Sequence, residues 1–311
     1  MSNIYVVGSI NMDLVQQVQS FPQPGETIHS VHSFYSPGGK GANQAVAAAK
    51  SGAETYMLGA VGSDAFADEL TTSLMQKGVN IEQVLHKAGT SGVATITVDG
   101  SGQNHIILTA GANGELTSED SQGWYGLFKK GSIVLFQNEI PWRTTQDTMK
   151  AVRQAGGYTI FNPAPAMPIP EEALPLIDLL VVNETEAEVI SKRAAGTISA
   201  AKQAAETILE TGVPRVILTL GEQGSLYMDQ DGLSFVTPAY SVHAVDTTAA
   251  GDTFIGALAA RLALTSQFKD WNEALAYASA AAALTVTRRG AQESIPTLQQ
   301  IEAFIAGQAS S

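Results

Sequence analysis

A segment near the C-terminal end, DTTAAGDTF at residues 246–254, brings together two groups that could transfer a phosphoryl group. Its small residues Ala249, Ala250 and Gly251 lead into an Ala-rich run that predicts a helix. The unpaired N–H groups at a helix start, with the positive end of the helix dipole behind them, can hold phosphate oxygens. Asp252, in the same first turn, could accept a proton from a substrate hydroxyl. Taken alone, the segment fits equally well a carboxylate that only complements the helix dipole.

A glycine-rich segment, GGKGANQA at residues 38–45, leads into the first predicted helix. Three glycines in four residues would let the backbone come close to a ligand, although a tight turn with a helix cap explains them too. The segment lacks the spacing of a P-loop. It also follows an irregular stretch rather than the first strand, so it is not the dinucleotide-binding fingerprint. The missing G-x-G-x-x-G motif disfavours a dinucleotide-dependent oxidoreductase.

Polar side chains follow two predicted strands at the points where these strands end. Asn11 and Asp13 come after the strand at residues 4–9, and Glu139 comes after the strand at residues 132–136. Open α/β sheets bind ligands at the carboxyl ends of their strands. Amide and carboxylate groups can bond to the hydroxyls of a polyol, which favours a sugar site here. The alternative is turn chemistry, since Asn and Asp are common in loops.

Two further segments could serve a nucleotide. Asn183 and Glu186 follow the predicted strand at residues 179–182, where acidic residues can hold Mg²⁺ through water. The alternative is that Asn183 caps a helix that has acidic residues in its first turn, and both roles can hold at once. The loop at residues 219–224 follows the strand at residues 215–220, and its glycines would allow a flat surface beside a nucleotide.

These segments lie in a chain whose strands alternate with helices. The pattern predicts an α/β fold with a doubly wound, mostly parallel sheet and helices on both faces. We expect strands at residues 4–9, 55–61, 132–136, 158–162, 179–182 and 215–220, and helices at residues 43–50, 65–76, 144–154, 198–210, 249–264 and 271–285. Residues 15–36 and 92–110 break the alternation, because both predict strands without a covering helix and the second has a hairpin signal. We expect them to form a small accessory sheet.

Composition limits the partners. The chain of 311 residues has a formal net charge of −13, which argues against nucleic acid and an anionic membrane surface. It contains no cysteine, which excludes disulfides, thiol catalysis and cysteine-bound metals. The first residues lack the basic region of a signal peptide, and no apolar run reaches the ~20 residues that span a bilayer. We therefore expect a cytoplasmic protein that binds small molecules.

In their order along the chain, these motifs make it similar to the ribokinase-like (PfkB-type) carbohydrate kinase family. The resemblance extends over residues 4–304. Both signature regions of the family are present, at residues 38–45 and 246–254, and its Asn-x-x-Glu signature matches Asn183 and Glu186. Several such matches in one order are far more specific than any one of them.

The resemblance also implies an architecture. Residues 1–14, 37–91 and 111–311 would form a doubly wound α/β domain that binds nucleotide and sugar. Residues 15–36 and 92–110 would form a small β-sheet lid. Because the lids of two subunits often clasp each other in this family, the resemblance implies a homodimer.

The implied activity is ATP-dependent phosphorylation of a sugar, with Mg²⁺ and a monovalent cation, K⁺. Asp252 would be the catalytic base, and Ala249, Ala250 and Gly251 would form the anion hole. The sugar would be bound by Asn11, Asp13, Gly39, Lys40, Asn43, Glu139 and Asp252. The nucleotide would be bound by Asn183, Glu186, Thr219, Gly221, Gly224, Gly251 and Ser279, with Glu186 acting on the Mg²⁺–phosphate network. The positions that match the cation site are Asp246, Thr248, Thr285, Arg288, Gly290 and Ser294.

Several strings, among them GSINMD at residues 8–13 and NPAPA at residues 162–166, are similar to those of ribose-specific members of the family. They imply in-line phosphoryl transfer to O5 of D-ribose, giving D-ribose 5-phosphate. The nearest alternatives are kinases for 2-deoxyribose, fructose or a nucleoside such as adenosine, and Asn11 beside Asp13 favours a sugar with a full set of hydroxyls. A non-catalytic sensor on the same fold is a further alternative, against which the intact segment at residues 249–252 argues.

Overall fold

The structure, a computed structural model, describes residues 2–265 and 270–308. Its strands are β1 (Ile4–Val7), β2 (Asn11–Gln17), β3 (His32–Gly38), β4 (Thr55–Leu58), β5 (Ala60–Val61), β6 (Leu85–His86), β7 (Gly92–Val98), β8 (Asn104–Thr109), β9 (Ile133–Phe136), β10 (Tyr158–Phe161), β11 (Leu179–Asn183), β12 (Arg215–Thr219), β13 (Ser225–Asp229) and β14 (Ser234–Thr237). Its helices are α1 (Lys40–Lys50), α2 (Phe66–Gln76), α3 (Ser118–Gln122), α4 (Trp142–Gln154), α5 (Glu184–Ser191), α6 (Ile198–Glu210), α7 (Ala250–Leu264), α8 (Trp271–Val286) and α9 (Leu298–Gln308). Within the described ranges, no helix has both the length and the apolar character needed to cross a bilayer.

The main sheet has eight strands in the order β14-β13-β12-β11-β10-β9-β1-β4. The six strands from β12 to β4 are parallel, and β13 and β14 add an antiparallel hairpin at one edge. Parallel strands that are buried on both faces need apolar residues at every position, which explains continuous runs such as IVLF in β9. The predicted doubly wound, mostly parallel sheet is confirmed, while the edge hairpin has no counterpart in the prediction.

Helices cover both faces of this sheet. Successive side chains of a strand point to opposite faces, so Ile4 and Val6 of β1 join one hydrophobic core and Tyr5 and Val7 join the other. The first core also contains residues of α1, α2, α7 and α8, and the second contains residues of α4, α5 and α6. Helices α1 and α7, which carry the catalytic candidates, therefore pack on the same face.

Two predicted elements differ from the structure. Helix α1 begins at Lys40, earlier than the predicted start at Asn43, because Gly39 turns the chain with a φ of 92° and frees the next residues to enter the helix. The predicted strand at residues 55–61 is broken after β4, and β5 pairs with β6 in a separate two-stranded sheet. Gly59 lies at this break, where the backbone leaves the main sheet.

A four-stranded sheet in the order β3-β2-β7-β8 stands apart from the main sheet, and we call it the lid sheet. It is larger than the predicted segment at residues 15–36, because β2 begins at Asn11 and β3 runs on to Gly38. The pairing of β2 with β3 continues without interruption from Asn11 opposite Gly38 to Gln17 opposite His32, which explains the extension. As a result, Asn11 and Asp13 belong to a strand of the lid sheet rather than to a loop.

A buried amide joins the lid sheet to the α/β domain. Asn113 follows β8 and is 1% exposed. Its Oδ1 accepts from the N–H of Ile10 at 3.0 Å, and its Nδ2 donates to the carbonyl of Ile10 at 3.1 Å and to Oδ1 of Asn11 at 2.7 Å. These bonds fix the start of β2 and one end of the Asn11 side chain.

Candidate active site

The N-terminus of α7 has backbone donors that remain open. Ala249, just before the helix, has a φ of 59°, a left-handed conformation that costs about 1–2 kcal/mol for a residue with a side chain. The N–H of Ala250 donates to the carbonyl of Thr247 at 3.2 Å. The N–H groups of Ala249 and Gly251 have no acceptor among the described residues. An anion could therefore bind at the positive end of the helix dipole.

Asp252 lies in the first turn of α7 and is 9% exposed. Its Oδ2 accepts from Nδ2 of Asn43 at 3.0 Å, and its Oδ1 accepts from Nε2 of Gln44 at 3.1 Å. Both donors lie on α1, and Gly256 lets the two helices approach, because a Cβ there would lie 2.4 Å from the carbonyl oxygen of Gln44. Two predicted site residues, Asp252 and Asn43, are thus brought together from distant parts of the chain.

Three buried amides near Asp252 were missed as site residues by the sequence analysis. Nε2 of Gln137 donates to Oε1 of Gln44 at 2.8 Å, and Nε2 of Gln44 also approaches Oδ1 of Asn162 at 3.5 Å. Gln44 and Gln137 are both 0% exposed. The available signal is the pair Asn43-Gln44 in an Ala-rich helix, because buried amides in such a helix need polar partners.

Asn43 leaves one atom without a partner. Its Nδ2 donates to Asp252, but its Oδ1 is buried and has no hydrogen bond within the described part of the chain. Leaving a buried acceptor unpaired costs about 1–3 kcal/mol. A hydroxyl donor that reached this atom would remove the cost.

A cavity of about 230 Å³ opens beside the N-terminus of α7, and we call it the helix-side cavity. Its lining includes eight predicted site residues: Lys40, Asn183, Glu186, Thr219, Ala249, Ala250, Gly251 and Asp252. Candidates for phosphate binding and candidates for nucleotide binding therefore border one space.

Asn183 and Glu186 form a reciprocal cap at the start of α5. Oδ1 of Asn183 accepts from the N–H of Glu186 at 2.8 Å, and Oε2 of Glu186 accepts from the N–H of Asn183 at 3.0 Å. Burial raises the pKa of Glu186 above its ordinary value, although the N–H of Asn183 acts against this shift. The capping interpretation is confirmed. Because both residues also line the helix-side cavity, it leaves room for a second role toward a metal-bound phosphate.

A second cavity, of about 330 Å³, lies between the lid sheet and the segment after β9, and we call it the lid-side cavity. Asn11 and Glu139 line it, together with Leu108 and Thr109 at the end of β8. Because Oδ1 of Asn11 is engaged by Asn113, the free group of this side chain is Nδ2, which has no acceptor among the described residues. The lid-side cavity thus has an amide donor available to a ligand.

Glu139 is held by one oxygen only. Its Oε2 accepts from the hydroxyl of Ser9 and from the N–H of Lys40, the latter at 3.3 Å, while Oε1 has no donor among the described residues. The bond to Lys40 connects the lining of the lid-side cavity to that of the helix-side cavity. Gly39 next to it was expected to admit a ligand, but a Cβ there would lie 2.7 Å from the backbone nitrogen of Asn11. The absence of a side chain at Gly39 therefore makes room for the backbone of Asn11 and not for a ligand.

Asp13 lines neither of these two cavities but lies near three other charged groups, Glu139, Asp252 and Lys40. Burial, followed by repulsion from Glu139 and Asp252, raises the pKa of Asp13 to about 7. Burial also raises the pKa of Glu139, against the attraction of Lys40. Burial acts to lower the pKa of Lys40, but the carboxylates around it, with Asp252 first, raise that pKa above its ordinary value. Lys40 is therefore a cation in the site, and Asp13 ionises near neutral pH.

The residues predicted to bind K⁺ lie on two segments that contact each other. The N–H of Asp246 donates to the carbonyl of Val286 at 3.2 Å, and Oδ2 of Asp246 accepts from the N–H of Gly290 at 2.9 Å. Oδ1 of Asp246 accepts from the N–H of Thr248 at 2.9 Å. Burial acts to raise the pKa of Asp246, but hydrogen bonds from the Thr248 hydroxyl and from the N–H groups of Gly290 and Thr248 lower that pKa below its ordinary value. Asp246 thus organises a turn as an anion.

The other predicted cation ligands lie in the same region. Thr285 and Ser294 are buried, Arg288 is exposed, and the N–H of Arg288 donates to the carbonyl of Thr285 at 3.1 Å. In residues 2–265 and 270–308, no group of three or more His, Asp and Glu side chains is arranged to hold a metal ion. A cation here would rely on backbone carbonyls, whose hard oxygens fit an alkali or alkaline-earth ion.

Three predicted nucleotide-site residues lie outside the linings of both cavities. Ser279 is buried within α8, and Gly221 begins a short 3₁₀ helix, Gly221–Gln223. Gly224 has a φ of 94°, and a Cβ there would lie 2.0 Å from the carbonyl oxygen of Thr237 in β14. The contact with β14 is a sufficient structural reason for a glycine at this position.

The chain is similar to known carbohydrate kinases. The model of the pfkB family carbohydrate kinases matches residues 1–298. The ribokinase of Schizosaccharomyces pombe is 38% identical, with 97% of each chain covered. The deoxyribokinase of Salmonella typhimurium is 35% identical, covering 97% of this chain and 98% of its own.

Solved structures give the same result. The crystal structure of Thermotoga maritima ribokinase has a TM-score of 0.89 and 40% identity, and covers 98% of this chain and 100% of its own. The structure of Arabidopsis thaliana ribokinase complexed with ribose and ATP has a TM-score of 0.87 and 32% identity, covering 98% and 99%. The chain belongs to the pfkB family of carbohydrate kinases.

Proposed function

We propose that this chain transfers the γ-phosphoryl group of ATP to O5 of D-ribose, giving D-ribose 5-phosphate and ADP. The observation that carries the proposal is Asp252, held by two amides of α1 in the first turn of α7, beside backbone N–H groups that have no acceptor among the described residues. The ribokinases of S. pombe and T. maritima, which are similar over nearly the whole chain, support ribose as the acceptor.

In the proposed reaction, O5 attacks the γ-phosphorus in line with the leaving ADP, and the proton of O5 passes to Asp252. Of the proposed anion hole at Ala249, Ala250 and Gly251, the open N–H groups of Ala249 and Gly251 bind the phosphoryl oxygens as charge develops on them, while the N–H of Ala250 is bonded to the carbonyl of Thr247. The Lys40 ammonium, which lines the same cavity, adds positive charge. Positioning and charge stabilisation carry most of the effect, since phosphoryl transfer asks little covalent chemistry of the protein.

The sugar is bound by groups whose hydrogen bonds are incomplete. Oδ1 of Asn43, Nδ2 of Asn11 and Oε1 of Glu139 each lack a partner among the described residues. A sugar with several hydroxyls can donate hydrogen bonds to the two oxygens and accept one from the nitrogen. The carboxylate of Asp13 accepts a hydrogen bond from a further hydroxyl. Gly39 holds the backbone that places these groups.

The nucleotide enters the helix-side cavity along Asn183 and Thr219, with Gly221, Gly224 and Ser279 expected farther along the adenine side. Glu186 would hold Mg²⁺ through water, because its oxygens already accept from Asn183 and Asn162. When bound, Mg²⁺ would neutralise charge on the β- and γ-phosphates. The Arabidopsis ribokinase complexed with ribose and ATP supports this assignment of the donor.

A monovalent cation, K⁺, belongs to the proposal. It would be held by Asp246, Thr248, Thr285, Arg288, Gly290 and Ser294, largely through carbonyl oxygens. The bond from Gly290 to Asp246 supports this site, since it joins the two segments next to the turn that leads into Ala249. Removing K⁺ and Na⁺ should lower turnover, and adding K⁺ should restore it. Turnover that is indifferent to every monovalent ion would exclude the site.

We also propose a cytoplasmic homodimer that forms through the lid sheet. β8 is an edge strand of this sheet, and its Ile106, Ile107 and Leu108 are 53%, 69% and 44% exposed. An exposed apolar edge strand is an aggregation hazard unless another chain covers it. A second copy of the lid sheet, which offers the same edge, would cover it, and light scattering in solution tests this point.

A kinase for 2-deoxyribose is the second candidate, and the similarity to the Salmonella typhimurium deoxyribokinase favours it. The deciding experiment is an ADP-release assay with ribose, 2-deoxyribose, fructose and adenosine at equal concentrations. We expect the highest kcat/KM with ribose. A clear preference for another acceptor would refute the assignment of ribose but leave Asp252 as the base, whereas ADP release with none would support a non-catalytic sensor.

A further inference from the structure

We infer that Gln44 and Gln137 are positioning residues that hold the Asp252 carboxylate in the orientation needed to accept a proton. The inference rests on the proposed role of Asp252 as base. Three elements contribute to this arrangement: Gln137 follows β9, Gln44 lies on α1 and Asp252 lies on α7. Their side chains form one continuous series, from Nε2 of Gln137 to Oε1 of Gln44 at 2.8 Å and from Nε2 of Gln44 to Oδ1 of Asp252 at 3.1 Å.

The chemistry of the three groups allows this series only one direction. An ionised carboxylate has no proton to donate, so Gln44 must turn its NH₂ group toward Asp252. The carbonyl oxygen of Gln44 then faces Gln137, which must turn its own NH₂ group toward Gln44. This choice leaves Oε1 of Gln137 buried and without a partner in the described residues. The arrangement is thus specified by the carboxylate and not by the separate needs of each amide.

The effect on Asp252 is to fix the plane of its carboxylate. Asn43 alone holds one oxygen and would leave the group free to rotate about its last bond. Gln44 holds the other oxygen, so the remaining lone pairs keep one direction. A general base must point such a lone pair at the hydroxyl it deprotonates. Asn43 has an unpaired oxygen suited to the sugar, whereas both polar ends of Gln44 are bonded within the protein.

Gln44→Met keeps much of the side-chain volume but removes the donor to Asp252. We expect kcat to fall roughly tenfold to a hundredfold, the range for losing a hydrogen bond to a charged group. The KM values for ribose and ATP should change by less than about twofold, because Gln44 is bonded only within the protein. Gln137→Met leaves the Gln44–Asp252 bond in place and should lower kcat in the same direction by a smaller factor.

A double-mutant cycle with Asp252→Asn separates positioning from folding. If Gln44 acts through the carboxylate, Gln44→Met should cost little further kcat once Asp252→Asn is present. Equal losses in both backgrounds would overturn the inference. An Asp252→Asn variant with normal kcat would instead overturn the proposed base, so the two failures are distinguishable. Melting temperatures without ligand identify any variant that is merely unfolded.

Gln44→Glu provides a readout that does not depend on the stability of Gln44→Met. A carboxyl at position 44 can donate to Asp252 only when it is protonated, and burial beside another carboxylate favours its protonation. We expect the kcat of this variant, as a fraction of the wild-type kcat at the same pH, to rise as the pH falls from 8 to 6. The same pH profile for both proteins would contradict a donor role for Gln44.

Discussion

The helix-side and lid-side cavities use their polar atoms in different ways. In the helix-side cavity, both oxygens of Asp252 accept hydrogen bonds from α1. The groups proposed to bind phosphate there are backbone N–H groups at the start of α7. In the lid-side cavity, Nδ2 of Asn11 and Oε1 of Glu139 have no partner among the described residues. The first region is therefore organised before a ligand binds, and the second is completed by the ligand. We expect changes on the helix side to affect kcat and changes on the lid side to affect sugar recognition.

The largest effect should come from Asp252 on the helix side. Asp252→Asn keeps the shape of the side chain but removes the proton acceptor, so kcat should fall by roughly 10²–10⁴-fold. The KM values for ATP and ribose should change much less, and steady-state kinetics measures all three. Asp231→Asn, at an exposed carboxylate in the turn between β13 and β14, is the matched control. If Asp252→Asn lost ribose affinity but kept a normal kcat, the two cavities would not differ in function as we expect.

Asp13 should have the next largest effect, through its pKa of about 7. Sugar hydroxyls donate best to its ionised form, whose share rises about tenfold from pH 6 to pH 8 for such a pKa. The kcat/KM for ribose should rise by a similar factor over this range. Asp13→Asn should remove this dependence and lower kcat/KM at pH 8 by roughly tenfold to a hundredfold, the range for losing a charged hydrogen bond. Equal pH profiles for the two proteins would exclude Asp13 from sugar binding.

The raised pKa of Asp13 also predicts how the stability of the folded chain depends on pH. Its pKa in the folded chain exceeds the ordinary value of 3.8, so the folded chain holds the proton more tightly than the unfolded chain. The stabilisation from the protonated group is complete below about pH 4 and is lost as the pH rises to about 7. The melting temperature of Asp13→Asn relative to wild type should therefore increase between pH 4 and pH 8. A constant difference would mean that Asp13 ionises normally.

The choice between sugars should be a smaller effect. A site with fixed polar groups rejects an analogue that lacks a hydroxyl, since an unpaired buried group costs about 1–3 kcal/mol. We expect kcat/KM for 2-deoxyribose to be at least roughly tenfold below that for ribose. Asn11→Ala should weaken ribose use and leave the KM for ATP nearly unchanged. A large rise in the KM for ATP would show that the two cavities are not separate in function.

The smallest effect on turnover should come from the outer part of the lid sheet. Ile107→Asp puts a charge on an edge strand that we propose is covered by a second copy of the chain. Burying that charge should weaken dimer formation by about 2–4 kcal/mol, while kcat changes by no more than about threefold. Light scattering with kinetics on the same sample measures both. A dimer that persists unchanged would locate the interface elsewhere.

Sequence patterns predicted the elements of the fold well where one local signal decides them. The buried runs of β9 to β12 and the Ala-rich helices α7 and α8 agree closely with the predictions, because strand and helix periods are local. The boundaries of the lid sheet were less accurate. Asn11 was assigned to the segment after the first strand and not to the lid sheet, since its place in β2 depends on pairing with β3 and β7, which are distant in sequence.

Sequence patterns proposed candidate site residues but not the amides that support them. Asp252 and Asn43 were proposed from motifs and Glu139 from its place after a strand; Asn43 is bonded to Asp252, and Glu139 is bonded to Lys40. Gln137 and Asn113 were not identified, because their importance lies in bonds to residues about a hundred positions away. Only the packing of α1 against α7 and of β2 against the segment after β8 brings these amides to their partners.

The amide of Asn113 constrains how the lid sheet can move as a rigid body. Three of its hydrogen bonds hold Ile10 and Asn11 at the start of β2, in a position almost closed to solvent. A pivot at residue 10 would break all three, at a cost of about 1 kcal/mol each, with no water to replace them. We therefore expect any rotation of the lid sheet to carry the segment Gly111–Glu115 with it. A pivot outside this clamp would leave the orientation of Asn11 unchanged.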